Sequence, residues 1–166
     1  MTRRILIAVG SNIAPEKHVK NGVARLTEAF GDVDVSTFYR TKPLRGRTEQ
    51  PDYVNGVVLL RTERSLKSVR KKLADIETAE GRERVPGDAY ASRTLDLDIV
   101  AVEGGEIPPS SELVERDFIL IPAAELWPEF IWPHTGQTLK ELAGVLGTAT
   151  LKPAICSFSR NALPSQ

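Results

Sequence analysis

The order of apolar segments and turns predicts an α+β domain built on an antiparallel sheet. Short apolar or alternating segments, typical of strands, and longer segments with apolar residues at helical spacing follow one another as strand, helix, strand, strand, helix, strand. This is the ferredoxin-like βαββαβ order, in which both helices pack on one face of the sheet. The C-terminal elements must then cover the other face or leave it open for a ligand.

The first strand and helix come from an apolar run and the amphipathic segment that follows it. Residues 5–9 are continuously apolar, as in a central strand that is covered on both faces. A turn follows, in which Ser11 or Asn12 could cap the next helix. That helix should begin near Pro15 and end near Gly31. Its apolar face comprises Val19, Val23, Leu26 and Phe30.

The next two strands are separated by a long loop. Residues 33–39 alternate and predict the second strand, and residues 53–60 predict the third. Residues 40–52 between them hold two prolines and a glycine, which exclude regular structure. The basic residues of this loop could meet phosphate or simply face solvent, and the two alternatives are about even. Asn55 is unusual in a strand, and it either bonds backbone or reads the edge of a heterocycle.

The second helix should begin after Ser65, which is a favourable cap. Its apolar face comprises Leu66, Val69, Leu73 and Ile76. Glu77 lies near the helix C-terminus, where a carboxylate is unfavourable for the helix dipole. We therefore expect an arginine partner from residues 81–84, and a loop over residues 85–92.

The fourth strand, residues 93–100, carries the most informative pattern of the chain. Leu95, Leu97 and Ile99 alternate with two aspartates, so the apolar side chains point into a core. Asp96 and Asp98 then share the other face, with Cα atoms roughly 7 Å apart. The pair is either a solvated strand face or a site for a divalent cation such as Mg²⁺. The arginines that precede it favour a metal and phosphate site.

The C-terminal third should supply the cover for the second face. Pro108 and Pro109 exclude a strand there, and Pro122 should open a short helical turn through Leu126. Residues 139–146 predict a last amphipathic helix. The segment 147–166 shows no pattern and is interpreted as a C-terminal tail. Without a linker or repeat, residues 1–166 form one predicted domain with a core of about 3–146.

Composition excludes several classes of protein. The 22 basic and 22 acidic residues balance, which argues against binding nucleic acid or an anionic membrane surface. The N-terminal apolar run is too short to span a membrane. The single cysteine, Cys156, cannot form an intrachain disulfide, so a cytoplasmic setting is expected. The chain is expected to act as a monomer, with a dimer as the alternative.

Motifs narrow the chemistry further. There is no P-loop, no protein-kinase motif and no nucleophile elbow, and His18 and His134 are isolated. These observations argue against a catalytic triad or a zinc site. Carboxylates accompanied by arginines fit Mg²⁺-assisted phosphoryl chemistry. The arginines are Arg82, Arg84, Arg93 and Arg116.

An ordered set of motifs resembles the 6-hydroxymethyl-7,8-dihydropterin pyrophosphokinase family of folate synthesis. The motifs lie between about residues 5 and 142 and comprise Val9-Gly10-Ser11-Asn12, Phe38-Tyr39-Arg40-Thr41, Gln50-Pro51-Asp52-Tyr53-Val54-Asn55, Glu77 with Gly81-Arg82-Glu83-Arg84, Arg93-Thr94-Leu95-Asp96-Leu97-Asp98-Ile99, and Arg116-Asp117-Phe118-Ile119-Leu120-Ile121-Pro122. The resemblance implies transfer of pyrophosphate from ATP to the hydroxymethyl group of the pterin, with release of AMP.

The resemblance also implies roles for individual residues. Asp96 and Asp98 would hold two Mg²⁺ ions, and Arg82 and Arg93 would act with them as catalytic residues. The pterin would stack between Tyr53 and Phe118 and bond to Asn55. Backbone groups that would complete the pterin site belong to Thr41, Lys42 and Leu44. The residues implied in ATP binding are Glu77, Arg84, Arg93, Ile99, Ser110 and Arg116.

Departures from the family concentrate on the nucleotide side. Ser110 stands where the family usually has a histidine that contacts ATP phosphate, and the segment between Glu103 and Pro108 is shortened. Tyr90-Ala91-Ser92 replaces a frequent Trp-Gly-Pro. The alternative to an active pyrophosphokinase is therefore a pterin- or nucleotide-binding protein of the same fold with lost or altered transferase activity.

Overall fold

The computed structural model describes residues 1–44, 47, 49–146 and 151–155. In chain order the elements of these residues are β1 (Arg3–Ser11), α1 (Pro15–Phe30), β2 (Val33–Val35), β3 (Phe38–Thr41), β4 (Tyr53–Thr62), α2 (Leu66–Ala79), β5 (Asp96–Val102), α3 (Glu112–Glu115), α4 (Asp117–Leu126), α5 (Leu139–Leu146) and β6 (Lys152–Ile155). This confirms the predicted mixture of helices with an antiparallel sheet.

One sheet contains all of these strands. Its order is β5-β1-β4-β3-β6, and β2 also pairs with β4. All of the pairs are antiparallel. β1 pairs with β4 along its whole length and with β5 on its other side. The strand that carries the aspartate pair therefore lies two strands away from the one that carries Asn55.

The two faces of the sheet are covered differently. On one face, apolar side chains of β1, β4 and β5 form a buried core with α1 and α2. On the other face, Leu6, Val57 and Leu59 pack with α4, and α5 packs in turn on α4. Ala8, Gly10 and Asn55 line an open cavity on that second face. The second layer is thus incomplete, and it leaves room for a ligand.

The predicted second strand is divided in the structure. Instead of one strand over residues 33–39 there are β2 and β3, separated at Ser36 and Thr37. Ser36 is buried, and its hydroxyl accepts a hydrogen bond from Val57 N and donates one to Thr37 O. A side chain that bonds backbone in this way interrupts the strand, which alternation alone does not reveal.

The expected helix at Pro122 is also longer than predicted, because α4 begins at Asp117 and contains the proline. Proline removes a helical hydrogen bond, which costs about 3 kcal/mol in an exposed helix. Here residues 119–123 are buried. Burial of this apolar segment offsets the cost of the proline, and the spacing of apolar residues in the sequence did not reveal it.

The helix caps agree with prediction at one helix and not at the other. The hydroxyl of Ser65 accepts a hydrogen bond from Ser68 N at the start of α2. The expectation that Ser11 or Asn12 caps α1 is wrong, because Ala14 precedes the helix in a left-handed conformation and no side chain caps it. Asn12 bonds instead to two distant loops, as described below.

The C-terminal region holds a strand that the sequence did not predict. β6 pairs with β3 and extends the sheet. Cys156 lies outside the described residues.

Among the described residues, no helix is long and apolar enough to cross a membrane.

Candidate active site

A cavity of about 300 Å³ lies on the incompletely covered face of the sheet. Its floor is formed by β1, β4 and β5, and α4 forms one wall. Residues of the loops 42–52 and 89–93 complete the lining. The predicted site residues that line it are Thr41, Lys42, Leu44, Tyr53, Asn55, Arg93, Asp96, Asp98, Arg116 and Phe118.

The sheet register explains how Asn55 and Asp96 come to face the same cavity. Gly10 on β1 is the partner of Asn55 on one side and of Asp96 on the other. Residues directly opposite each other in a sheet point to the same face. Because β1 contributes only a glycine between them, the space above the strand stays open.

Gly10 also sets the position of the Asn55 amide. A Cβ atom added at Gly10 would lie 2.6 Å from Asn55 Oδ1, which is too close for two nonbonded atoms. At its other end, Asn55 Nδ2 donates a hydrogen bond to Thr41 Oγ1 over 2.7 Å. The amide is therefore held between the bare backbone of β1 and a hydroxyl of β3, with its polar edge available to the cavity.

Two aromatic side chains line the cavity from different elements. Tyr53 is the first residue of β4, and Phe118 lies in the first turn of α4. Burial raises the pKa of the Tyr53 phenol, and the Arg93 guanidinium partly offsets this effect. A flat heterocycle is the type of ligand that suits walls of this kind.

Asp96 is held by two arginines. Arg82 Nη1 donates to Asp96 Oδ1 over 2.7 Å, and Arg93 Nη1 donates to Asp96 Oδ2 over 3.0 Å. Arg82 also forms an ion pair with buried Glu77. This pair confirms the arginine partner that the sequence predicted for Glu77.

Asp98 has a different environment, although it lies only two residues away. Loss of solvent within the pocket and, second, the negative charge of Asp96 together raise the pKa of Asp98 to about 7. Because Asp98 keeps contact with solvent, loss of solvent has a smaller effect here than in a closed cavity, and repulsion between the two carboxylates acts in the same direction. Glu112, a third carboxylate of the lining, adds to this repulsion.

This carboxylate pair fits a hard divalent cation. Among the described residues there is no group of three or more His, Cys, Asp or Glu side chains arranged to hold a metal. Mg²⁺, however, is commonly held by one or two carboxylates, with water and substrate phosphate completing its shell. Two carboxylates that repel each other beside an open cavity meet that requirement.

Two loops meet over the site. Arg47 of one loop forms a bidentate ion pair with Asp88 of the other, with both N–O distances 2.9 Å. Gln50 Nε2 donates to Tyr90 O over 3.0 Å. A second cavity, of about 570 Å³, is lined by residues 82–89, Ala91 and Arg93. The arginines Arg82, Arg84 and Arg93 therefore surround a space next to the first cavity.

Arg116 provides a further cationic group in the first cavity. Its Nε atom is buried and has no hydrogen-bond partner among the described residues. A buried donor without a partner is unfavourable. An anionic ligand in the cavity would satisfy it.

Three of the predicted nucleotide residues lie outside the lining of both cavities. Glu77 is buried against Arg82. Ile99 packs with the core beneath α1 and α2. The hydroxyl of Ser110 accepts a hydrogen bond from Glu112 N at the start of α3. These positions place the three residues around the site but not on its surface.

Sequence reasoning missed several residues of the lining. Gln50 lies inside a motif that was quoted for the resemblance, but no role was inferred for it. Tyr90 was noted only as a departure from the family. Nothing in the sequence marked Glu112 as a residue of the lining, because a single glutamate in a polar segment is common.

The family model of 7,8-dihydro-6-hydroxymethylpterin-pyrophosphokinase (HPPK) matches residues 6–128. The 2-amino-4-hydroxy-6-hydroxymethyldihydropteridine pyrophosphokinase of Haemophilus influenzae is 34% identical over 146 residues, which cover 82% of this chain and 88% of the relative.

Two longer proteins contain a similar unit. The folic acid synthesis protein fol1 of Schizosaccharomyces pombe is 31% identical over 144 residues, or 81% of this chain and 19% of that protein. A solved structure described as an HPPK-DHPS in complex with substrates superposes with a TM-score of 0.66 at 11% identity. The superposition covers 90% of this chain and 44% of that chain, and it shows a shared fold.

Proposed function

This chain belongs to the 7,8-dihydro-6-hydroxymethylpterin-pyrophosphokinase family, and we propose that the cavity between β1, β4, β5 and α4 is its active site. The chain is an enzyme that transfers pyrophosphate from ATP to 6-hydroxymethyl-7,8-dihydropterin, releasing AMP, in folate biosynthesis. The observation that carries the site assignment is the aspartate pair, of which Asp96 is bound by two arginines, beside a cavity with aromatic walls.

The pterin occupies the part of the cavity that is built on strands. Its flat ring lies between Tyr53 and Phe118, and the Asn55 amide bonds to its polar edge. The backbone groups of Thr41, Lys42 and Leu44 complete this contact. The side chain of Lys42 is 87% exposed and is paired with Asp52, so only its backbone takes part.

The phosphates of ATP lie between the aspartate pair and the arginines. Asp96 and Asp98 hold Mg²⁺, with two ions proposed. When bound, the metal neutralises phosphate charge and makes the β-phosphorus more electrophilic. The hydroxymethyl oxygen forms a bond to the β-phosphorus and loses its proton to solvent. The bond between the β-phosphorus and the oxygen that bridges to the α-phosphate breaks, and that oxygen leaves with AMP.

The arginines change partners when ATP binds. In the ligand-free arrangement Arg82 and Arg93 neutralise Asp96. A triphosphate offers them a larger negative charge and bidentate oxygens, which guanidinium groups bind strongly. Asp96 then becomes free to bind the cation. Arg84 and Arg116 bind other oxygens of the nucleotide, Glu77 holds Arg82, and Ile99 and Ser110 act from the periphery.

The proposal also covers the topology of the sheet, the domain organisation, the oligomeric state, the location and the small-molecule partners. The order β5-β1-β4 followed by β2 and β3 supports a ferredoxin-like topology in which the second strand is broken in two. We also propose a single domain over residues 1–166, a monomeric enzyme, and a cytoplasmic setting. ATP and the pterin are its proposed small-molecule partners.

Product analysis tests this proposal against the alternative of a binding protein without transferase activity. Protein, Mg²⁺, ATP and 6-hydroxymethyl-7,8-dihydropterin are incubated together, and adenine nucleotides are separated. We expect AMP and the pterin pyrophosphate in equal amounts, and neither product when Mg²⁺ is chelated. Binding of the pterin without any AMP at high protein concentration would favour the alternative.

A further inference from the structure

Asn12 is a buried polar residue at the end of β1 to which the proposed mechanism gives no role. Only 1% of its surface is exposed. Buried amides are costly unless they are hydrogen-bonded. Among the described residues, the hydrogen bonds of Asn12 reach the two loops that meet over the proposed site.

Two of these bonds fix the backbone of Arg93. Asn12 N donates to Arg93 O over 3.1 Å, and Arg93 N donates to Asn12 Oδ1 over 2.8 Å. The Arg93 side chain then continues to Asp96 Oδ2 over 3.0 Å. Asn12 thus holds the arginine at its backbone, while Asp96 holds it at its guanidinium.

The remaining donor of Asn12 reaches both loops. Its Nδ2 donates to Ser92 Oγ over 3.2 Å and to Pro51 O over 3.4 Å. Pro51 lies two residues before Tyr53, whose ring lines the cavity. One side chain therefore connects the arginine of the phosphate side to the segment that leads into the pterin side.

We propose that Asn12 is a positioning residue that fixes the position of Arg93 relative to the segment 51–53. This inference rests on the proposed function, since it gives Arg93 and Tyr53 their roles in the reaction. Asn12 is absent from the lining of both described cavities. Its effect on the reaction passes through Arg93 on one side and through the Pro51 peptide on the other.

A double-mutant cycle of Asn12→Ala and Arg93→Ala tests the connection. We expect Asn12→Ala to lower kcat/KM by about 10- to 100-fold, the range in which small misplacements of catalytic groups fall. Because the loss passes largely through Arg93, adding Asn12→Ala to Arg93→Ala should lower kcat by less than about threefold further. Full additivity of the two effects on kcat would overturn the proposal.

The second variant, Asn12→Asp, distinguishes the bond to Arg93 from the bond to Pro51. It also tests the proposal if the alanine variant fails to fold. It retains an oxygen that accepts from Arg93 N but places an acceptor against Pro51 O. We expect its kcat to stay within about threefold of the wild-type value while the KM for the pterin rises about tenfold or more, because one lost buried hydrogen bond corresponds to 1–3 kcal/mol. An unchanged pterin KM would overturn the link to segment 51–53.

Ser36→Ala is the matched control for a purely structural loss. Ser36 is as buried as Asn12, and its hydroxyl also bonds backbone, but it lies between β2 and β3. Its removal should lower thermal stability and leave kcat and both KM values unchanged. If Asn12→Ala behaves in the same way, the inference alone is overturned. If the wild-type protein makes no AMP, the proposed function is overturned together with it.

Discussion

The two sides of the proposed active site are built from different kinds of structure. The pterin side rests on β1, β3 and β4, where Asn55 is fixed by Thr41 and by the absence of a side chain at Gly10. The phosphate side relies on arginines from the loop that follows α2, and they bind Asp96 in the absence of ATP. In the proposed site, recognition is therefore preorganised, whereas the groups proposed for transfer are held by ion pairs that ATP would replace.

The largest effect is expected for Asp96→Ala. It removes one of two carboxylates for the metal and the shared partner of Arg82 and Arg93, so turnover should fall by about 1000-fold or more. The AMP assay measures this. The fold should persist, because Arg82 retains Glu77. Asp75→Ala on α2, which removes an exposed ion pair with Lys71, is the control and should leave activity unchanged. Activity close to wild type in Asp96→Ala would remove Asp96 from the metal role.

A substitution on the strand-built side should change binding rather than turnover. Gly10→Ala places a Cβ where the Asn55 oxygen lies, so the amide must rotate or shift. We expect the KM for the pterin to rise about tenfold, in line with one misaligned hydrogen bond. Gly144→Ala is the control, since a Cβ there meets nothing within 4 Å. An unchanged pterin KM in Gly10→Ala would contradict the role of this glycine.

The pH dependence of Asp98 tests the repulsion between the aspartates. In the ligand-free protein its carboxyl should titrate near pH 7, which carboxyl NMR can follow. Since the folded pKa lies above the ordinary 3.8, the folded protein binds this proton more tightly than the unfolded chain does. The stabilisation from this group is therefore present at low pH and is lost as the pH rises through about 7.

Asp96→Asn should move this titration. The substitution removes the negative charge beside Asp98, and the pKa of Asp98 should fall toward its ordinary value. Saturating Mg²⁺ should lower it as well, because the metal competes with the proton. A pKa that does not respond to either change would show that the two carboxylates do not interact.

The smallest effect is expected for Lys42→Ala. The Lys42 ammonium is exposed and paired with Asp52, and exposed pairs contribute about 0–1 kcal/mol. Both KM values should therefore stay within about twofold of the wild-type values, and the melting temperature should change little. A tenfold increase in the KM for the pterin would instead place the side chain in the site.

Sequence patterns predicted those parts of the site that depend on local periodicity. Alternation around Asp96 and Asp98 placed both carboxylates on one face. Asn55 was recognised as unusual in an apolar strand, with a structural bond and the edge of a heterocycle as the alternatives. Residues with long-range partners were not accessible in this way. Asn12 was interpreted as a local helix cap, although its partners lie 39 and more positions away. The ion pair of Arg47 with Asp88 and the pairing of β6 with β3 were not predicted for the same reason, because in each case the partners lie far apart in the sequence.

The division between recognition and transfer can be measured directly with Asn55→Ala and Arg82→Ala. For both variants, kcat and the KM of each substrate are determined with the AMP assay at saturating Mg²⁺. We predict that Asn55→Ala raises the KM for the pterin about tenfold or more with a nearly unchanged kcat, whereas Arg82→Ala lowers kcat about 100-fold with a nearly unchanged pterin KM. The reverse pattern, or equal losses of kcat in both variants, would contradict the division.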